Sequence, residues 1–562
     1  MAINYAGLSN RRATLQSQPI PGTNQVANSA GGYTWAVDDW KRLDRFLILG
    51  AEGGTYYATE RELVLDNHEA LVRCILADGV RAVNRIVEIS TTGRAPKNDP
   101  AIFALALVAT HGEPAAKTLA FAKLAEVCRM STHLFHFAQY VNALRGWGRG
   151  LRSAVARWYV GRAADDLAYQ AVKYQQRDGW SHGDLLRLAH PKAPTPEHEA
   201  VFRWMLKGPG ALGEREVQRK IDGETRLAKY PAAGSLPGII ATSEEAKRAG
   251  SVAEVVRLIV DHDLPREAIP TKWLDQVAVW EALLHRMPLT AMIRNLGKMT
   301  SLGLVGPFSD AKRLIVTRLA DATALQRARI HPLAVLVAQK IYAQGHGDKG
   351  SLRWQPVTSV VDALDAAFYG TFRNVEPCGK PVLLALDVSG SMAISMIAGS
   401  CLSAREASAA MALITAATEP DHEIIAFSAG KGGPGGQWGG GEPGITRVNL
   451  SPRLGLAEVV QRLAAIPIGG TDCALPMRWA TRNKLKVAGF ITYTDSETWA
   501  GEIHPAQALA QYREQFCQEA KAVVVGMTSN GFSIADPNDR GMLDVVGFDT
   551  ATPAVIADFV RE

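Results

Sequence analysis

Apolar residues recur at spacings of three and four along most of the chain from about residue 38 to about residue 372. In the stretch HEALVRCILADGVRAVNRIVEIS, Leu71 and Ile75 are followed by Val83, Ile86 and Val87. This spacing predicts amphipathic helices, because residues three or four apart share one face of a helix. Helix pairs recur every few dozen residues with Gly or Pro between them, which is typical of a HEAT-like array. Since no sequence repeat is visible, an irregular helical domain is the alternative.

The pattern changes after Pro377, where short and continuous apolar runs replace the helical spacing. These runs are PVLLALD, HEIIAFS, VAGFITYTD and KAVVVGMT, and helical stretches separate them at 400–417, 455–465 and 505–519. Strands that alternate with helices and are apolar throughout are buried on both faces, which indicates a parallel, doubly wound sheet. The predicted fold class is therefore an α-helical array followed by a doubly wound α/β domain.

Three segments follow from these patterns. Residues 1–30 are rich in Ser, Asn, Gln and Pro and are predicted to be a flexible, poorly ordered segment. Residues 31–373 form the helical part, and residues 374–562 form the α/β part. The tract SAGKGGPGGQWGGGEPG at 428–444 lacks the residue order of a phosphate-binding loop, and we predict that it is a flexible surface insertion.

Charge divides the chain in the same way. Residues 1–360 contain 46 Lys and Arg against 34 Asp and Glu, whereas residues 361–562 contain 15 against 22. A basic helical part favours a polyanionic partner, although ordinary solubilising charge is the alternative. The six cysteines form no CxxC pair, the N-terminus has no signal-peptide pattern, and the longest apolar runs are too short to span a bilayer. We expect a cytoplasmic protein without a zinc ribbon or a membrane segment.

Carboxylate and hydroxyl side chains stand near the ends of two predicted strands. Asp387 ends the first apolar run and is followed by Ser389 and Ser391. Asp495 ends the third run, and Thr471 lies in the loop IGGTD. The carboxyl ends of parallel strands meet at one edge of a doubly wound sheet, so these residues can converge there. Such hard oxygen donors suit Mg²⁺, with Mn²⁺ as the other candidate, whereas zinc favours His or Cys.

Two other interpretations of this cluster remain open. In one, the serines only cap a turn and no ion is bound. In the other, Asp387 is the nucleophile of a magnesium-dependent phosphoryl-transfer enzyme. Such phosphatases resemble this fold but carry a second Asp two residues after the first, where this chain has Ser389.

The same cluster resembles the metal-ion-dependent adhesion site of von Willebrand factor A domains. That site uses DxSxS, a loop Thr and a later strand-end Asp, and all five positions match here in order. The helical part is similar to the TROVE module of the Ro autoantigen family, including its bacterial, Rsr-like members. The stretches that carry this likeness are FLILGAEGGTYYA (46–58), GRAPKNDPAIFALAL (93–107), STHLFHFAQYV (131–141), AVKYQQRDGWSHGDLLRLAHP (171–191), MPLTAMIRNLGKMT (287–300) and ARIHPLAVLVA (328–338). GGTDCALPM and GMTSNGFSIADPNDRGMLDVVGFDT extend it through the A domain.

The resemblance implies a ring of HEAT-like helices whose ends are joined by the A domain, and an RNA-binding function in ribonucleoprotein particles. It implies that Y RNA or a similar noncoding RNA binds the outer surface of the ring and limits access to it. Single-stranded ends of misfolded noncoding RNA would enter the basic cavity. The role would be RNA quality control or decay, in bacteria together with the exoribonuclease polynucleotide phosphorylase. We expect one protein chain per particle and one divalent cation in the A domain.

Three residues are candidates for RNA contact. On a helix through LAYQAVKYQQR, Lys173 and Arg177 lie four residues apart on the polar face. Ser181 begins a second helix in a capping box with Asp184, and His190 ends it before a proline. In the family, the Lys and Arg of the KYxQR stretch and the His of the LRLxHP stretch contact Y RNA, which implies the same for these three. Taken singly, each is equally typical of a solvated or capping residue.

No arrangement typical of an enzyme is predicted. The chain lacks the HExxH motif of zinc proteases, and we predict neither a nucleophile elbow nor a pair of carboxylates flanking a cleft. His133 and His136 have metal-ligand spacing, but without a third ligand they are predicted to pack in the core. We therefore expect no catalytic residues and a protein that acts by binding.

Overall fold

The structure is a computed structural model. It describes residues 13–51, 59–208, 215–221, 224–230, 236–328, 330–347, 350–370, 372, 376–397, 400–428, 444–448, 454, 456–466, 469–549 and 551–562. Within these ranges, no helix has both the length and the apolar character that crossing a bilayer requires. The glycine tract lies almost entirely outside them, so its predicted role as a surface insertion stays a prediction.

The N-terminal segment is packed against the C-terminal domain from residue 13 onward. Its strands are β1, Val26–Ala27, and β2, Tyr33–Ala36. They are antiparallel to each other, and β2 also pairs with Phe532–Ser533 near the end of the chain. Gln16 and Ile20 are buried. The predicted flexibility of residues 1–30 is therefore wrong for residues 13–30, and residues 1–12 lie outside the described ranges.

The helical part follows, and the prediction of helix along it is confirmed in the main. Its α-helices are α1 Asp39–Leu49, α2 Glu60–Thr92, α3 Asp99–His111, α4 Pro114–Ala122, α5 Leu124–Val127, α6 Ser131–Arg145, α7 Arg149–Val160, α8 Ala164–Lys173, α9 His182–Ala189, α10 Pro196–Lys207, α11 Gly238–Arg248, α12 Val252–His262, α13 Val277–Arg286, α14 Leu289–Ser301, α15 Asp310–Ala320, α16 Ala322–Arg327, α17 Pro332–Ala343 and α18 Thr358–Gly370. Short 3-10 helices span Arg266–Ala268 and Thr271–Trp273.

Helices close together in the chain pack against each other, so an extended array results. Among these contacts are α1 on α2, α2 on α3, α12 on α13 and α17 on α18. Local signals set the helix ends: Thr59 and Glu62 form a reciprocal capping box at the start of α2. The backbone of α2 is kinked at Asp78, and the apolar spacing places Ile75 before the kink and Val83 and Ile86 after it in the core.

Two β-hairpins interrupt the region that was predicted to be almost only helical. Their strands are β3 Gln176–Arg177 with β4 Trp180–Ser181, and β5 Arg215–Ile221 with β6 Glu224–Tyr230. In the first hairpin, Asp178 (φ 53°) and Gly179 (φ 78°) connect the strands through left-handed backbone, the geometry of a type I′ turn. The Asp-Gly pair in RDGW is the local signal for such a turn, and it overrides the helical spacing that precedes it.

The C-terminal domain contains a six-stranded sheet with helices between its strands. The strands are β7 Val382–Asp387, β8 His422–Phe427, β9 Ile445–Arg447, β10 Gly489–Thr494, β11 Lys521–Gly526 and β13 Met542–Val546, with the separate strand β12 at Phe532–Ser533. The helices are α19 Gly390–Ile394, α20 Ala404–Thr418, α21 Leu456–Ala464, α22 Leu475–Arg482, α23 Pro505–Gln515 and α24 Ala551–Arg561. The order is β13-β11-β10-β7-β8-β9, parallel except for β9. The four predicted strands are confirmed, and β9 and β13 were not predicted.

Alternate residues of the central strands face two apolar layers, which accounts for their continuous apolar runs. Leu384 and Leu386 of β7 join the core that contains α20 and continues into the helical part. Leu383 and Ala385 face a second core built with α22 and α23. Burial on both faces is what a doubly wound sheet requires. The predicted fold class is thereby confirmed.

Both ends of the helical array meet at the C-terminal domain. Nε2 of His331, at the start of α17, lies 3.2 Å from the backbone carbonyl oxygen of Arg94, just after α2. Arg94 in turn pairs with Asp549 of the C-terminal domain at 3.4 Å. Lys340 of α17 pairs with Glu406 of α20 at 2.6 Å. These contacts join the early and late parts of the array to each other and to the same domain.

Candidate functional site

Strands β7 and β10 are neighbours in the sheet and end at the same edge. Leu386 pairs with Tyr493, so Asp387 and Thr494, the last residues of the two strands, come side by side. Asp495 follows Thr494 directly. The strand register therefore brings the two predicted ligand carboxylates to one edge, as the sequence pattern predicts.

Hydrogen bonds within the DxSxS loop and from strand β10 order this loop. Oδ1 of Asp387 accepts a hydrogen bond from the backbone N–H of Ser389 at 2.9 Å, and Oδ2 accepts one from the Thr494 hydroxyl at 2.7 Å. The Ser389 and Ser391 hydroxyl oxygens lie 3.1 Å apart, and Ser391 is near enough to the Asp495 carboxylate to oppose the rise of its pKa. Four of the five predicted ligands thus form one connected cluster.

Thr471 reaches this edge from the loop before α22. Its backbone carbonyl accepts hydrogen bonds from the N–H groups of Trp499 at 3.1 Å and Ala500 at 3.0 Å. Those residues belong to the loop that follows Asp495, so the two loops are joined. The Thr471 side chain is buried. The structure therefore places the loop of the fifth predicted ligand, Thr471, against the loop that follows Asp495.

The two carboxylates are enclosed and close enough to repel each other. Asp387 is 0% exposed and Asp495 is 3% exposed. Burial and then the charge of Asp387 raise the pKa of Asp495 to about 7. Burial also raises the pKa of Asp387 above its ordinary value, although hydrogen bonds from Ser389 and Thr494 oppose that change. Two buried carboxylates at one point are costly unless a cation or a proton compensates them.

The donor set fits a small divalent cation. Two carboxylates and three hydroxyls are hard oxygen ligands, and with water they can complete the six-fold shell that Mg²⁺ prefers. No group of three or more His, Cys, Asp or Glu in the described part of the chain is arranged to hold a metal, which disfavours a zinc-type site there. The residues that would hold the ion are Asp387, Ser389, Ser391, Thr471 and Asp495.

Sequence reasoning missed three residues that support this edge. Thr494 donates a hydrogen bond to Asp387. It directly precedes the predicted ligand Asp495 in TYTD, and this position could have marked it as part of the site. The buried Arg405 of α20 donates to the backbone carbonyls of Val388 and Ser389 beneath the DxSxS loop. Asn530 donates from its side-chain amide to the Asp495 carbonyl at 2.7 Å. No local pattern marks the last two, because they come from distant parts of the chain.

The predicted RNA-contact residues are placed differently from the sequence expectation. Helix α8 ends at Lys173, and Arg177 lies in strand β3. The prediction that both share one helical face is therefore wrong, because the helix ends at Lys173 and the type I′ turn holds Arg177 in a β-hairpin. Lys173 is half-buried, with Nζ 3.1 Å from the Tyr169 hydroxyl and 5.4 Å from the centre of the Tyr174 ring. The Arg177 side chain is 61% exposed, and its Nε lies 3.8 Å from the Asp178 carboxylate.

Helix α6 holds the hairpin that carries Arg177. The imidazole Nδ1 of His136 bonds the Asp178 carboxylate in the turn, and the Trp180 indole N–H donates to the Gln139 side chain at 2.8 Å. The His136 side chain, 15% exposed, thus contacts a polar turn as well as the Tyr140 ring, on which it stacks. His133 is half-buried beside Asn98, and burial lowers its pKa to about 4.

Helix α9 lies between the candidate RNA-contact residues. The capping box of Ser181 with Asp184 is confirmed at its start. His190 ends it in left-handed conformation (φ 47°), and its side chain is exposed. The helix is eight residues long, so its two ends are roughly 12 Å apart. Lys173 and Arg177 lie toward its start and His190 lies at its end, where Arg152 of α7 bonds the Ala189 carbonyl at 3.4 Å.

The stretch GWSHG at 179–183 has the spacing of a nucleophile elbow, which the sequence interpretation overlooked. In the structure the Ser181 hydroxyl donates to the Asp184 carboxylate at 2.5 Å within the capping box. His182 is buried and bonds the Tyr159 hydroxyl through Nδ1 at 2.8 Å. Both side chains are therefore engaged in holding the helix start, and the motif is structural here.

A cavity of about 1020 Å³ lies where late helices of the array meet the loop before α3 and the C-terminal domain. Its charged lining residues are Lys97, Arg266, Arg294, Lys298 and Asp275. Apolar side chains from α14 and α17, such as Ile293 and Val337, and the indole of Trp354 complete the walls. The lining is thus cationic and apolar together, which suits a ligand with negative charge and flat aromatic groups.

Comparison with known proteins places the chain in a family. The Ro60 vWA domain family matches residues 381–560, and the TROVE domain family matches residues 26–226 and 240–341. The chain is 41% identical over 540 residues to the RNA-binding protein RO60 of Deinococcus radiodurans, covering 96% of this chain and 95% of that protein. It is 37% identical over 597 residues to the RNA-binding protein RO60 of Caenorhabditis elegans, covering 95% and 90%.

The fold agrees with this sequence likeness. The crystal structure of the Deinococcus radiodurans RO (RSR) protein matches with a TM-score of 0.67 at 39% sequence identity. The match covers 93% of this chain and 99% of that chain. The chain therefore belongs to the Ro60 family, with a TROVE domain followed by a Ro60-type vWA domain.

Proposed function

We propose that this chain is a noncatalytic RNA-binding protein whose outer surface holds a structured noncoding RNA, Y RNA or a Y-like RNA, at Lys173, Arg177 and His190. The observation that carries the proposal is the hairpin that presents the Arg177 side chain 61% exposed beside Asp178, on a family member whose relatives are named RNA-binding proteins. Exposed guanidinium and imidazole groups pair with phosphates, and counterion release makes such contacts favourable.

A second part of the proposal concerns single-stranded RNA ends. The cavity with Lys97, Arg266 and Arg294 on its walls would take the unpaired ends of misfolded noncoding RNA. Cationic groups follow the phosphate backbone, while apolar and aromatic walls accept bases of any sequence. Such a protein would serve RNA quality control or decay, with an exoribonuclease such as polynucleotide phosphorylase as its partner and one copy of the chain per particle.

A third part concerns the metal. We propose that Asp387, Ser389, Ser391, Thr471 and Asp495 hold one Mg²⁺, or Mn²⁺, partly through water. The ion would supply an electrophilic point that binds an acidic group of a partner. The burial of the two carboxylates supports this proposal, since a cation offsets their mutual repulsion. A phosphoryl-transfer enzyme is not favoured, because the position two residues after Asp387 is a serine whose hydroxyl bonds Ser391.

The decisive experiment is to sequence the RNA that copurifies with the full-length protein and with the double variant Lys173→Ala/Arg177→Ala. We expect wild type to enrich structured noncoding RNA and the double variant to lose that enrichment. Arg187→Ala is the matched control, because Arg187 is also 61% exposed and, like Arg177, is paired with a nearby carboxylate, but it is not one of the three proposed contact residues. Equal enrichment by wild type and the double variant would show that the RNA binds elsewhere.

A further inference from the structure

Gln16 is a buried amide in the segment that was predicted to be poorly ordered. Gln16 is 0% exposed, and each of its backbone and side-chain polar groups makes a hydrogen bond. Its backbone N–H donates to the Gly501 carbonyl at 2.9 Å, and its own carbonyl accepts from the Tyr33 N–H at 2.8 Å. A fully satisfied buried amide is rigid and specific in its position, because any displacement leaves a polar group without a partner.

The side chain of Gln16 joins two loops of the C-terminal domain. Its Nε2 donates to Oδ1 of Asp472 at 2.7 Å and to the Ile503 carbonyl at 2.8 Å. Its Oε1 accepts from the Gly501 N–H at 3.2 Å and from the Thr498 hydroxyl. One carboxamide therefore links the start of α22 to the loop that runs from β10 to α23.

These are the loops that carry two of the proposed metal ligands. Asp472 directly follows Thr471, and Thr498 is three residues after Asp495. The Thr498 hydroxyl also accepts a hydrogen bond from the Cys473 N–H at 3.1 Å, so Gln16 and Thr498 together bridge both loops. A shift of this bridge would move Thr471 relative to Asp495, which sets how well both can reach one ion.

We propose that Gln16 is a positioning residue of the metal site: through Asp472 and Thr498 it sets the spacing between the loop of Thr471 and the loop of Asp495. This inference rests on the proposed metal site but adds to it a residue from the opposite end of the chain. Mg²⁺ tolerates little deviation from octahedral geometry. The affinity of the site for this ion should therefore be sensitive to the spacing between the loops of Thr471 and Asp495.

The packing around Gln16 supports this role independently of its hydrogen bonds. A Cβ added at Gly501 would meet Nε2 of Gln16 at 2.2 Å. A Cβ at Gly32 would meet the Thr498 carbonyl oxygen at 1.8 Å. The N-terminal segment and the loop from β10 to α23 therefore approach so closely that only glycine fits at positions 32 and 501. The same segment bonds the loop again through the Asn28 side-chain amide, which donates to the Thr498 carbonyl at 2.8 Å.

The test is a titration of full-length protein with MnCl₂ or MgCl₂ by calorimetry. Gln16→Met keeps the volume of the side chain but removes all four side-chain hydrogen bonds. We expect metal affinity to fall by about tenfold to a hundredfold, the usual effect of removing a group that orients ligands. Gln18→Met is the matched control, because Gln18 is an exposed glutamine of the same segment, and it should bind like wild type.

Hydrogen exchange supplies a readout that a uniform loss of stability would not give. In the metal-free Gln16→Met protein, exchange should rise in residues 471–473 and 496–501 while strand β11 stays protected. Gln16→Glu is the second variant, in case the first does not fold: it keeps one acceptor oxygen and the shape of the side chain but removes both donated bonds. It should also bind metal more weakly.

The outcomes separate this inference from the proposal it rests on. No metal uptake by wild type would overturn the metal site and the role of Gln16 with it. Uptake by wild type that is unchanged in the folded Gln16 variants would overturn the role of Gln16 alone. Weakened uptake in the Gln18 control to the same degree would also contradict it, because the effect would then belong to the segment in general.

Discussion

Arg45 of helix α1 forms an ion pair with Asp544 of strand β13 at 2.6 Å, and the two side chains are 1% and 5% exposed. The same guanidinium donates to the backbone carbonyls of Asn530 and Phe532 at 3.0 and 2.8 Å. The first helix of the TROVE domain is thus attached to the vWA domain through one enclosed cation.

Replacing this cation should destabilise the domain junction. Arg45→Met leaves Asp544 buried without its counter-charge, and we expect a loss of about 3–5 kcal/mol in stability, measured by denaturant or thermal unfolding. Arg73→Met is the control, since Arg73 pairs with Asp39 at an exposed position and should cost about 1 kcal/mol or less. Equal effects of the two changes would contradict the importance of the buried pair.

Asp387→Ala should abolish the uptake of Mg²⁺ or Mn²⁺, measured by calorimetry, and the binding of any partner that bridges the ion. RNA affinity should stay nearly unchanged, because the proposed RNA contacts lie on the helical part. Asp421→Ala, an exposed carboxylate of the same domain, is the control. Undiminished metal uptake in Asp387→Ala would refute the ligand assignment. A large loss of RNA affinity in a folded Asp387→Ala protein would refute the division of labour between the domains.

Lys173→Ala/Arg177→Ala should weaken the binding of a structured RNA by about 2–3 kcal/mol and flatten its salt dependence. Each phosphate contact that is lost removes about one unit or less from the slope of log K against log salt. The measurement is a binding titration at several salt concentrations. If both affinity and slope match those of Arg187→Ala, the outer-surface site does not include these residues.

RNA with a single-stranded 3′ tail should outcompete a blunt duplex of equal length. A cationic cavity with apolar walls binds an unpaired strand through its phosphates and exposed bases, whereas a duplex keeps its bases stacked inside. Competition assays at one salt concentration measure this preference. Arg294→Ala should reduce it, because Arg294 lines the cavity, and Arg286→Ala, an exposed residue outside the lining, should not. Equal competition by the blunt duplex would exclude the cavity as the binding site.

Stability should fall as pH drops below about 6.5, in part because of His331. Its Nδ1 accepts the Leu333 N–H at 3.1 Å and its Nε2–H lies 3.2 Å from the Arg94 carbonyl, so the folded state requires the neutral imidazole. Burial lowers the pKa of His331 to about 4. The unfolded chain, with a pKa of about 6.5, therefore binds the proton first as pH falls. The stability present above pH 6.5 is lost progressively toward pH 4, on the order of 3 kcal/mol for this group.

Unfolding followed between pH 7 and pH 4 checks this expectation. His331→Gln should be less stable at pH 7 and show a shallower decline, although not a flat one, because burial also lowers the pKa of His133 and His182 to about 4. His262→Gln changes an exposed histidine and should keep the wild-type decline. An unchanged decline in His331→Gln would contradict the assignment.

The hairpin at Arg177 illustrates where local reasoning failed. The spacing of Leu167, Ala168, Ala171 and Val172 predicts helix correctly as far as Lys173, because those residues are buried on one face. Beyond that point the Asp-Gly turn and contacts to helix α6 decide the conformation. Those contacts come from His136 and Gln139, whose involvement no spacing within the hairpin itself could reveal.

By itself, the sequence determined the two-part fold class and the five candidate metal ligands. Helical and strand periodicities are local, and a parallel sheet always brings its strand ends to one edge, so Asp387 and Asp495 could be matched from the pattern alone. Only the tertiary structure decided that residues 13–30 are packed and that Gln16 bridges the loop of Thr471 and the loop of Asp495. Its bond to Asp472 joins residues 456 positions apart. Residues 13–30 have the polar composition of a flexible segment. They are nevertheless ordered, because their hydrogen-bond partners lie in the C-terminal domain, far away in the sequence.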